Sequence, residues 1–181
     1  MSKKTIISLG LDLSLVSSGV VVLENGKIAL QKVIRSKPVG DKPIDELQRI
    51  RKIVEEIEDI VSEYNPTIAV IENMAFGIQK TTSLTQLAAL NFFTRAMLAD
   101  YRVPFFLCAP TTLKKFLTGK GNSDKEVLMM VVYRDYKEQI LDNNLVDGFG
   151  LSLIGAAILD NPVKKMTVPQ QEVIKLIKKQ L

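Results

Sequence analysis

One acidic residue lies inside the first apolar stretch of this sequence. The stretch reads Ile6-Ile7-Ser8-Leu9-Gly10-Leu11-Asp12-Leu13-Ser14, and a turn of small polar residues follows it. A short apolar run bounded in this way predicts a buried strand. An ionised carboxylate buried without a partner costs several kcal/mol, so Asp12 needs a cation or dense hydrogen bonding. Two interpretations stay open: Asp12 caps its own turn with Ser14, or it binds a metal together with acids from elsewhere in the chain.

The composition limits which chemistry such a site can use. The chain has no histidine, and Cys108 is its only cysteine. These counts exclude an intramolecular disulfide, a zinc finger and a Ser-His or Cys-His catalytic pair. A metal ion would therefore be held by oxygen atoms, which favours a hard cation such as Mg²⁺ or Mn²⁺.

Length and charge indicate one soluble globular domain. The 181 residues are 46% hydrophobic and 24% charged, which is an ordinary balance for a folded domain. We expect a single domain over residues 1–181, with a core at about 5–160 and a basic helix at about 168–181. The net charge of +4 is compatible with a polyanionic partner. The N-terminus leads directly into the first strand, and no run reaches membrane-spanning length. We therefore expect an intracellular protein, cytoplasmic or nucleoid-associated, or acting in the host cell if the source is viral.

The predicted elements are three strands followed by alternating helices and strands. An Asn25-Gly26 hairpin signal joins the second and third strands. The strands are predicted at 6–14, 19–23, 28–34, 67–71 and 104–107. The helices are predicted at 44–64, 82–100, 113–117, 124–138, 145–159 and 168–181, with Ser123 as N-cap of the fourth. This order predicts an α/β fold with a mixed five-stranded sheet, three antiparallel strands and then parallel ones, flanked by helices.

Several acidic or amide side chains converge in this topology. Strands one and four become neighbours, because sequential β-α-β crossovers pack that way. Asp12 and Glu72, at the ends of those strands, would then be adjacent. Asn144 and Asp147 lie three residues apart at the start of the last core helix, so both project from the same face. The sequence therefore predicts a metal-binding site built from strand ends and a helix start.

The motifs around these residues resemble those of the RuvC family of Holliday junction resolvases, in the RNase H-like superfamily. The resemblance covers roughly residues 5–160, with the motifs in the same order and at similar spacings. The matching segments are Leu9-Gly10-Leu11-Asp12-Leu13-Ser14 with Ser18-Gly19, Ile71-Glu72-Asn73, Gly121-Asn122-Ser123-Asp124-Lys125 and Asn144-Leu145-Val146-Asp147-Gly148-Phe149-Gly150.

The resemblance implies an RNase H-like fold and a homodimeric, metal-dependent endonuclease that cuts four-way DNA junctions symmetrically. By motif position, two divalent ions would be held by Asp12, Glu72, Asn144 and Asp147. The family has Asp or His where this chain has Asn144. This residue is a neutral metal ligand, a disarmed acid or a helix cap, and the last role is compatible with either of the others.

Further residues are candidates for contacting DNA. Lys114 and Lys125 match positions where the family carries basic residues near the scissile phosphate. Lys115 and Lys120 would add charge beside them, or are solvated surface lysines. Met74 and Phe76 follow Glu72 on a loop and could wedge between bases, although Phe76 could equally fold into the core. The candidate DNA-binding residues are therefore Met74, Phe76, Lys114, Lys115, Lys120 and Lys125.

The helix at 82–100 is the predicted dimer interface, because it has more apolar surface than one buried face needs. We predict that its buried stripe is Leu84, Leu87, Ala88, Phe92 and Leu98, with Phe93 and Met97 adding apolar surface. Two alternative functions stay open. One is a junction-binding protein in which Asn144 has weakened or abolished cleavage, and the other is an RNase H-like nuclease for other branched DNA or structured RNA. A sugar-kinase or actin-like ATPase is disfavoured, because the chain is too short to supply both lobes.

Overall fold

A mixed five-stranded sheet forms the centre of the molecule, as the sequence predicted. The structure, a computed structural model, describes residues 5–74 and 82–180. The strands are β1 (Ile7–Asp12), β2 (Ser17–Glu24), β3 (Lys27–Arg35), β4 (Ile68–Glu72) and β5 (Phe105–Cys108). Their spatial order is β3-β2-β1-β4-β5. The first three strands are antiparallel, and β1, β4 and β5 are parallel, so the predicted adjacency of the first and fourth strands is confirmed.

Helices cover both faces of this sheet. They are α1 (Pro43–Tyr64), α2 (Thr82–Asp100), α3 (Pro110–Thr118), α4 (Lys125–Tyr136), α5 (Asn143–Ile158) and α6 (Val168–Ile177), with a final 3₁₀ turn at Lys178–Gln180. In the described part of the chain, none of these helices combines the length and the apolarity needed to cross a membrane.

The β2–β3 hairpin follows directly from its turn sequence. Asn25 and Gly26 both have positive φ angles, 50° and 82°. A two-residue turn with both residues in the left-handed region matches the natural twist of the flanking strands, and Asn-Gly adopts it at low cost. The Asn-Gly signal therefore predicted this hairpin correctly.

Alternate residues of each strand face two separate apolar cores. In β1, Leu9 and Leu11 pack with α1 and α2, while Ser8 and Gly10 face α5. In β4, Val70 packs on the α5 side. Successive side chains of a strand point to opposite faces. Asp12 and Glu72, which continue the α5-facing series, therefore lie on the side of the sheet that α5 covers.

Helix α5 packs unusually close to the sheet because glycines line the contact. A Cβ on Gly10 would overlap the backbone of Gly148 and Ser152 in α5, and one on Gly19 would overlap the backbone of Asn144. A side chain at either position would push the helix away from β1 and β2. The two glycines thus set the height of the first turns of α5 above the ends of the strands.

Helix α6 anchors the C-terminal segment to α3 and to the free edge of the sheet. The Gln180 side chain accepts a hydrogen bond from the backbone N–H of Leu107 at 3.0 Å and donates one to the carbonyl of Leu107 at 2.8 Å. The Gln180 amide thus provides hydrogen-bond partners for a backbone N–H and a carbonyl of β5, which would otherwise be unpaired at the edge of the sheet. On α6 itself, Glu172 forms an ion pair with Lys115 of α3 at 2.8 Å.

The predictions for the N-cap of α4 and for the buried side of α2 were wrong in part. Asp124, not Ser123, is the N-cap residue of α4, and the Ser123 hydroxyl instead lies 2.7 Å from the Thr118 hydroxyl inside the preceding loop. In α2, Phe92 is 67% exposed, whereas Leu90 and Leu98 are buried. A helix turns about 100° per residue, so Phe92 points away from the line that Leu90 and Leu98 share. Whether Phe92 is buried or exposed therefore depends on how the helix is rotated about its own axis.

Candidate active site

Three carboxylates meet where β1 and β4 end and α5 begins. Asp12 is the last residue of β1 and Glu72 the last residue of β4. The register pairs Leu11 with Ile71, so the two acids follow at the same level on neighbouring parallel strands. Asp147 lies near the start of α5, which the glycine contacts hold against this part of the sheet. The carboxyl ends of parallel strands are a common position for active sites in α/β folds.

These three side chains are close enough to share one ligand. One carboxylate oxygen from each of Asp12, Glu72 and Asp147 lies within 4.8 Å of those of the other two, and all three residues are partly buried. They are far apart in the sequence, so the cluster exists only in the folded chain.

Burial raises the pKa values of all three carboxyl groups, and repulsion within the cluster adds to the increase for Glu72 and Asp147. Burial, followed by the negative charges of Asp12 and Asp147, raises the pKa of Glu72 to about 9. Burial and the charge of Asp12 raise the pKa of Asp147 to about 6, with Lys125 and Lys114 acting in the opposite direction. Burial also raises the pKa of Asp12, although a hydrogen bond from Glu72 and the charge of Lys125 oppose this. Full ionisation of the three carboxyl groups is therefore unfavourable in the absence of a bound cation.

A hard divalent cation fits this donor set. Carboxylate oxygens are the ligands that Mg²⁺ and Mn²⁺ prefer, and the chain has no histidine that could compete with them. A cation bound among Asp12, Glu72 and Asp147 would favour their ionised forms and so oppose the burial and repulsion that raise their pKa values. The cluster therefore supports the predicted class of cofactor.

Neutralising one of these acids should stabilise the metal-free protein. We expect Glu72→Gln to raise Tm in EDTA at pH 8 by at least about 2 °C, roughly 1 kcal/mol for a chain of this size. Glu72 loses its proton near pH 4.5 when unfolded but only near pH 9 when folded. Between these values the folded state binds more protons, so rising pH destabilises the wild-type protein. The increase in Tm caused by Glu72→Gln should be small at pH 5 and larger towards pH 9. Melting curves recorded in EDTA across this pH range would measure it.

The matched control for this prediction is Glu24→Gln, at an exposed acid that ends β2. Its Tm difference from wild type should not grow with pH. A Glu72→Gln variant whose melting temperature follows the same pH curve as that of Glu24→Gln would contradict the proposed repulsion.

Asn144 lies one helical turn before Asp147. Its side-chain amide donates a hydrogen bond from Nδ2 to the Ser17 hydroxyl on β2 at 2.9 Å. It does not cap the helix: Asp142 is the N-cap, and its Oδ1 accepts hydrogen bonds from the backbone N–H groups of Asn144 and Leu145. The helix thus starts at Asn143, two residues before the predicted start. The interpretation of Asn144 as the capping residue is wrong.

The four candidate lysines have different surroundings. The charge of Lys125, the first residue of α4, reaches Asp12, Glu72 and Asp147. Lys114 of α3 acts on Asp147. Lys115 instead pairs with Glu172 of α6, and Lys120 is exposed in the α3–α4 loop. The structure therefore brings two of the four lysines to the carboxylates.

The loop after Glu72 is described only at its beginning. Met74 is partly buried, two residues beyond Glu72. Phe76 lies outside the described residues, so its predicted contact with DNA stays a prediction.

Two groups that support the site were not predicted from the sequence. Asp142 caps α5, and its charge contributes to the raised pKa of Asp12. Arg49 of α1 is 9% exposed and donates hydrogen bonds to the Leu15 carbonyl and to the hydroxyl of Ser36, which holds the turn that follows Asp12. An Asp immediately before an apolar helical pattern is a recognisable N-cap signal. Nothing in the local pattern around Arg49 distinguishes it from the other basic residues of α1.

Comparison with known proteins gives one consistent family. The family model described as crossover junction endodeoxyribonuclease RuvC matches residues 8–144. The RuvC protein of Prochlorococcus marinus strain MIT 9313 is 28% identical over 132 residues, which is 70% of this chain and 81% of that relative. The RuvC protein of Brachyspira hyodysenteriae is 24% identical over 152 residues, which is 83% of this chain and 94% of that relative.

Solved structures share the fold at lower identity. The structure of Thermus thermophilus RuvC in complex with a Holliday junction substrate superposes with a TM-score of 0.71 at 17% identity, and the match covers 86% of this chain and 97% of that one. The yeast mitochondrial Holliday junction resolvase gives a TM-score of 0.53 at 12% identity, with 96% of this chain and 84% of that chain covered.

Proposed function

This chain belongs to the RuvC family of crossover junction endodeoxyribonucleases, and we propose that it resolves four-way DNA junctions by metal-dependent hydrolysis of one phosphodiester in each of two strands. The observation that carries the proposal is the cluster of Asp12, Glu72 and Asp147, whose oxygens lie within 4.8 Å of one another. A family member that had lost cleavage would have no need to keep three mutually repelling carboxylates together. Their retention favours the nuclease over the binding-only alternative.

The three carboxylates would hold Mg²⁺ or Mn²⁺, with two ions per site as the proposed number. Such ions supply Lewis-acid stabilisation of the charge that develops on the phosphate during hydrolysis. Asp12 and Glu72 provide rigid ligands, because each ends a strand whose backbone is paired on both sides. Asp147 comes from a helix that Gly10 and Gly19 hold at a fixed height. The chain thus positions its ligands on regular elements and not on loops.

Lys125 and Lys114 would face the phosphate that enters this site. Both charges already act on Asp147, and Lys125 acts on all three acids. A cation at this distance can attract the phosphate to the site and stabilise the additional negative charge of the transition state. Met74 and Phe76, on the chain segment that leaves Glu72, are the proposed contacts with bases at the branch point.

A cleavage assay on labelled substrates tests the proposed function. The purified protein is incubated with a four-way junction, a linear duplex and a branched RNA, each with Mg²⁺ and with EDTA. We expect paired nicks at symmetric positions of the junction, only with Mg²⁺, and little cutting of the duplex. Junction binding without nicking under every metal condition would establish the binding-only alternative. Comparable cutting of branched RNA would establish the broader nuclease.

Restoring an acid at position 144 should strengthen the site. We expect Asn144→Asp to raise junction cleavage at millimolar Mg²⁺ by at least about tenfold, a barrier change of roughly 1.4 kcal/mol. An amide oxygen can bind a hard cation but brings no charge, whereas a carboxylate adds one. The Ser17 hydroxyl, which now accepts from Asn144, can instead donate to the new carboxylate. Single-turnover rates across a Mg²⁺ titration would measure the change.

Asn161→Asp, just beyond the opposite end of α5, is the control for an added negative charge. It should leave the rate and its metal dependence as in wild type. If Asn144→Asp behaves in the same way, residue 144 does not act on the metal site.

We also propose that the active form is a homodimer that uses α2, because a junction presents two equivalent strands to cut. Phe92 and Phe93 lie on the outer surface of α2 and are 67% and 44% exposed. The guanidinium of Arg95 stacks over the Phe92 ring at 5.0 Å. Two adjacent aromatic side chains on one exposed surface are typical of an interface.

Placing a charge on this surface should separate the subunits. We expect Phe92→Asp to sediment at the 20.2 kDa mass of one chain, while the wild type sediments at twice that mass. Phe92 is exposed, so Tm should change by less than about 2 °C after allowance for dimer loss. Tyr133→Asp, at a 61% exposed aromatic on α4, is the control and should remain dimeric. A monomeric wild type would refute the proposed dimer.

A further inference from the structure

Asp142 uses its two carboxylate oxygens in different ways. Oδ1 caps α5 by accepting hydrogen bonds from the backbone N–H groups of Asn144 at 2.9 Å and Leu145 at 3.4 Å. Oδ2 lies 3.7 Å from the guanidinium of Arg35, and the Asp142 side chain is 30% exposed. A direct Arg–carboxylate hydrogen bond measures about 2.7–2.9 Å, so this ion pair is loose. Arg35 therefore pairs with Asp142 without a direct hydrogen bond.

The capped helix start lies beside Asp12. Asn144 packs its backbone on Gly19, and Gly19 is paired directly with Asp12 across the β1–β2 ladder. Glu72 flanks Asp12 on the β4 side, and the first turn of α5 flanks it on the β2 side. The Asp142 carboxylate accepts a hydrogen bond from the backbone N–H of this same Asn144, so the cap lies on the β2 side of Asp12. Asp12 thus lies between Glu72 and the capped start of α5.

We infer that Asp142 is a positioning residue that supplies, from the helix cap, the negative charge that Asn144 does not bring to the metal site. The geometry supports this role in two ways. The cap hydrogen bonds fix the carboxylate in place, and Arg35, 71% exposed at the rim, is too loosely placed to neutralise it fully. The inference rests on the proposed function only in that the site binds a divalent cation. It concerns how strongly that cation binds.

Metal-induced thermal stabilisation tests the inference without measuring cleavage. Melting temperatures are recorded for the full chain across titrations of Mg²⁺ and of Mn²⁺, starting from EDTA. Asp142→Asn keeps a good N-cap and removes only the charge. We expect its Tm in EDTA to equal or exceed that of wild type, and its half-saturating metal concentration to rise at least threefold. Asp160→Asn, which removes an acid paired with Lys178 at the far end of α5, should leave that concentration unchanged.

Two further variants separate the charge of Asp142 from its role as a cap. Arg35→Gln removes the loose counterion, so the half-saturating concentration should fall about twofold or more in the wild-type background and stay unchanged in the Asp142→Asn background. Asn144→Asp combined with Asp142→Asn should return the concentration to about the wild-type value. Such non-additive effects of two substitutions on the half-saturating metal concentration are expected only when both charges act on the same site.

The outcomes distinguish the inference from the proposed function. A wild-type protein that neither Mg²⁺ nor Mn²⁺ stabilises would refute the metal-dependent function itself. A wild type that responds to metal, with Asp142→Asn responding at the same concentration, would refute only the role of Asp142. An Asp142→Asn variant that melts several degrees lower in EDTA and keeps the wild-type metal response would show that Asp142 is a cap and nothing more.

Discussion

Glu72→Gln is expected to lower junction cleavage by at least about 10³-fold while leaving junction affinity unchanged or higher. The substitution keeps the shape of the side chain and removes one of the three carboxylates that we propose to hold the catalytic cation. Losing such electrostatic stabilisation costs about 10²–10³ or more in rate. Binding depends mainly on phosphate contacts elsewhere, and a less negative site repels DNA less. Single-turnover nicking rates and gel-shift titrations at one salt concentration would measure the two quantities separately.

Asp12→Asn should behave in the same way, because Asp12 lies between Glu72 and the start of α5. Glu24→Gln, at the exposed end of β2, removes the same kind of charge away from the cluster and should cut at the wild-type rate. Cleavage retained within tenfold in Glu72→Gln would remove Glu72 from the metal site. Lost binding together with lost cleavage would indicate a structural defect, which the expected rise in Tm in EDTA would exclude.

Lys125→Met should reduce cleavage by about 10²-fold, the loss seen when one preorganised charge near the reacting group is removed. Lys125 is the lysine whose charge reaches all three carboxylates. Methionine keeps most of the length of the side chain and its packing, so the stability of α4 should change little. The rate at saturating protein should fall much more than the affinity for the junction, because one phosphate contact among many contributes only part of the binding.

Lys120→Met is the matched control for this effect. Lys120 is exposed in the α3–α4 loop, five residues before Lys125, and its backbone carbonyl, not its charge, takes part in the loop hydrogen bonds. We expect Lys120→Met to lower the affinity for the junction slightly and to reduce the number of counterions released on binding by at most about one. The cleavage rate at saturating protein should stay unchanged. Equal losses of rate in the two variants would mean that both lysines act only by attracting DNA.

The sequence predicted what depends on local chemistry. The hairpin at Asn25-Gly26 follows from backbone angles that those residues tolerate, and the bounds of α1 and α2 follow from helical periodicity and from Pro66. The positions of Asp12 and Glu72 at strand ends were readable as well, because an acid after an apolar run is unusual in a buried strand. The order of elements then limited the sheet to topologies in which those two strands are neighbours.

Only the tertiary structure decided how the side chains of separate elements combine. Lys125 acts on the carboxylates, whereas Lys115 pairs with Glu172. This difference depends on how α3, α4 and α6 pack, and the spacing of the two lysines in the sequence does not predict it. The burial of Phe92 was predicted wrongly because a shift of helix phase by one or two residues moves a side chain from the core to the surface. Asp142 lies near Asp12 because Gly19 has no side chain and lets the backbone of α5 approach β2. Local preferences determine secondary structure. The charge and the pKa values of a site depend instead on burial and on distances between residues that can be more than a hundred positions apart in the sequence, and only tertiary packing determines these.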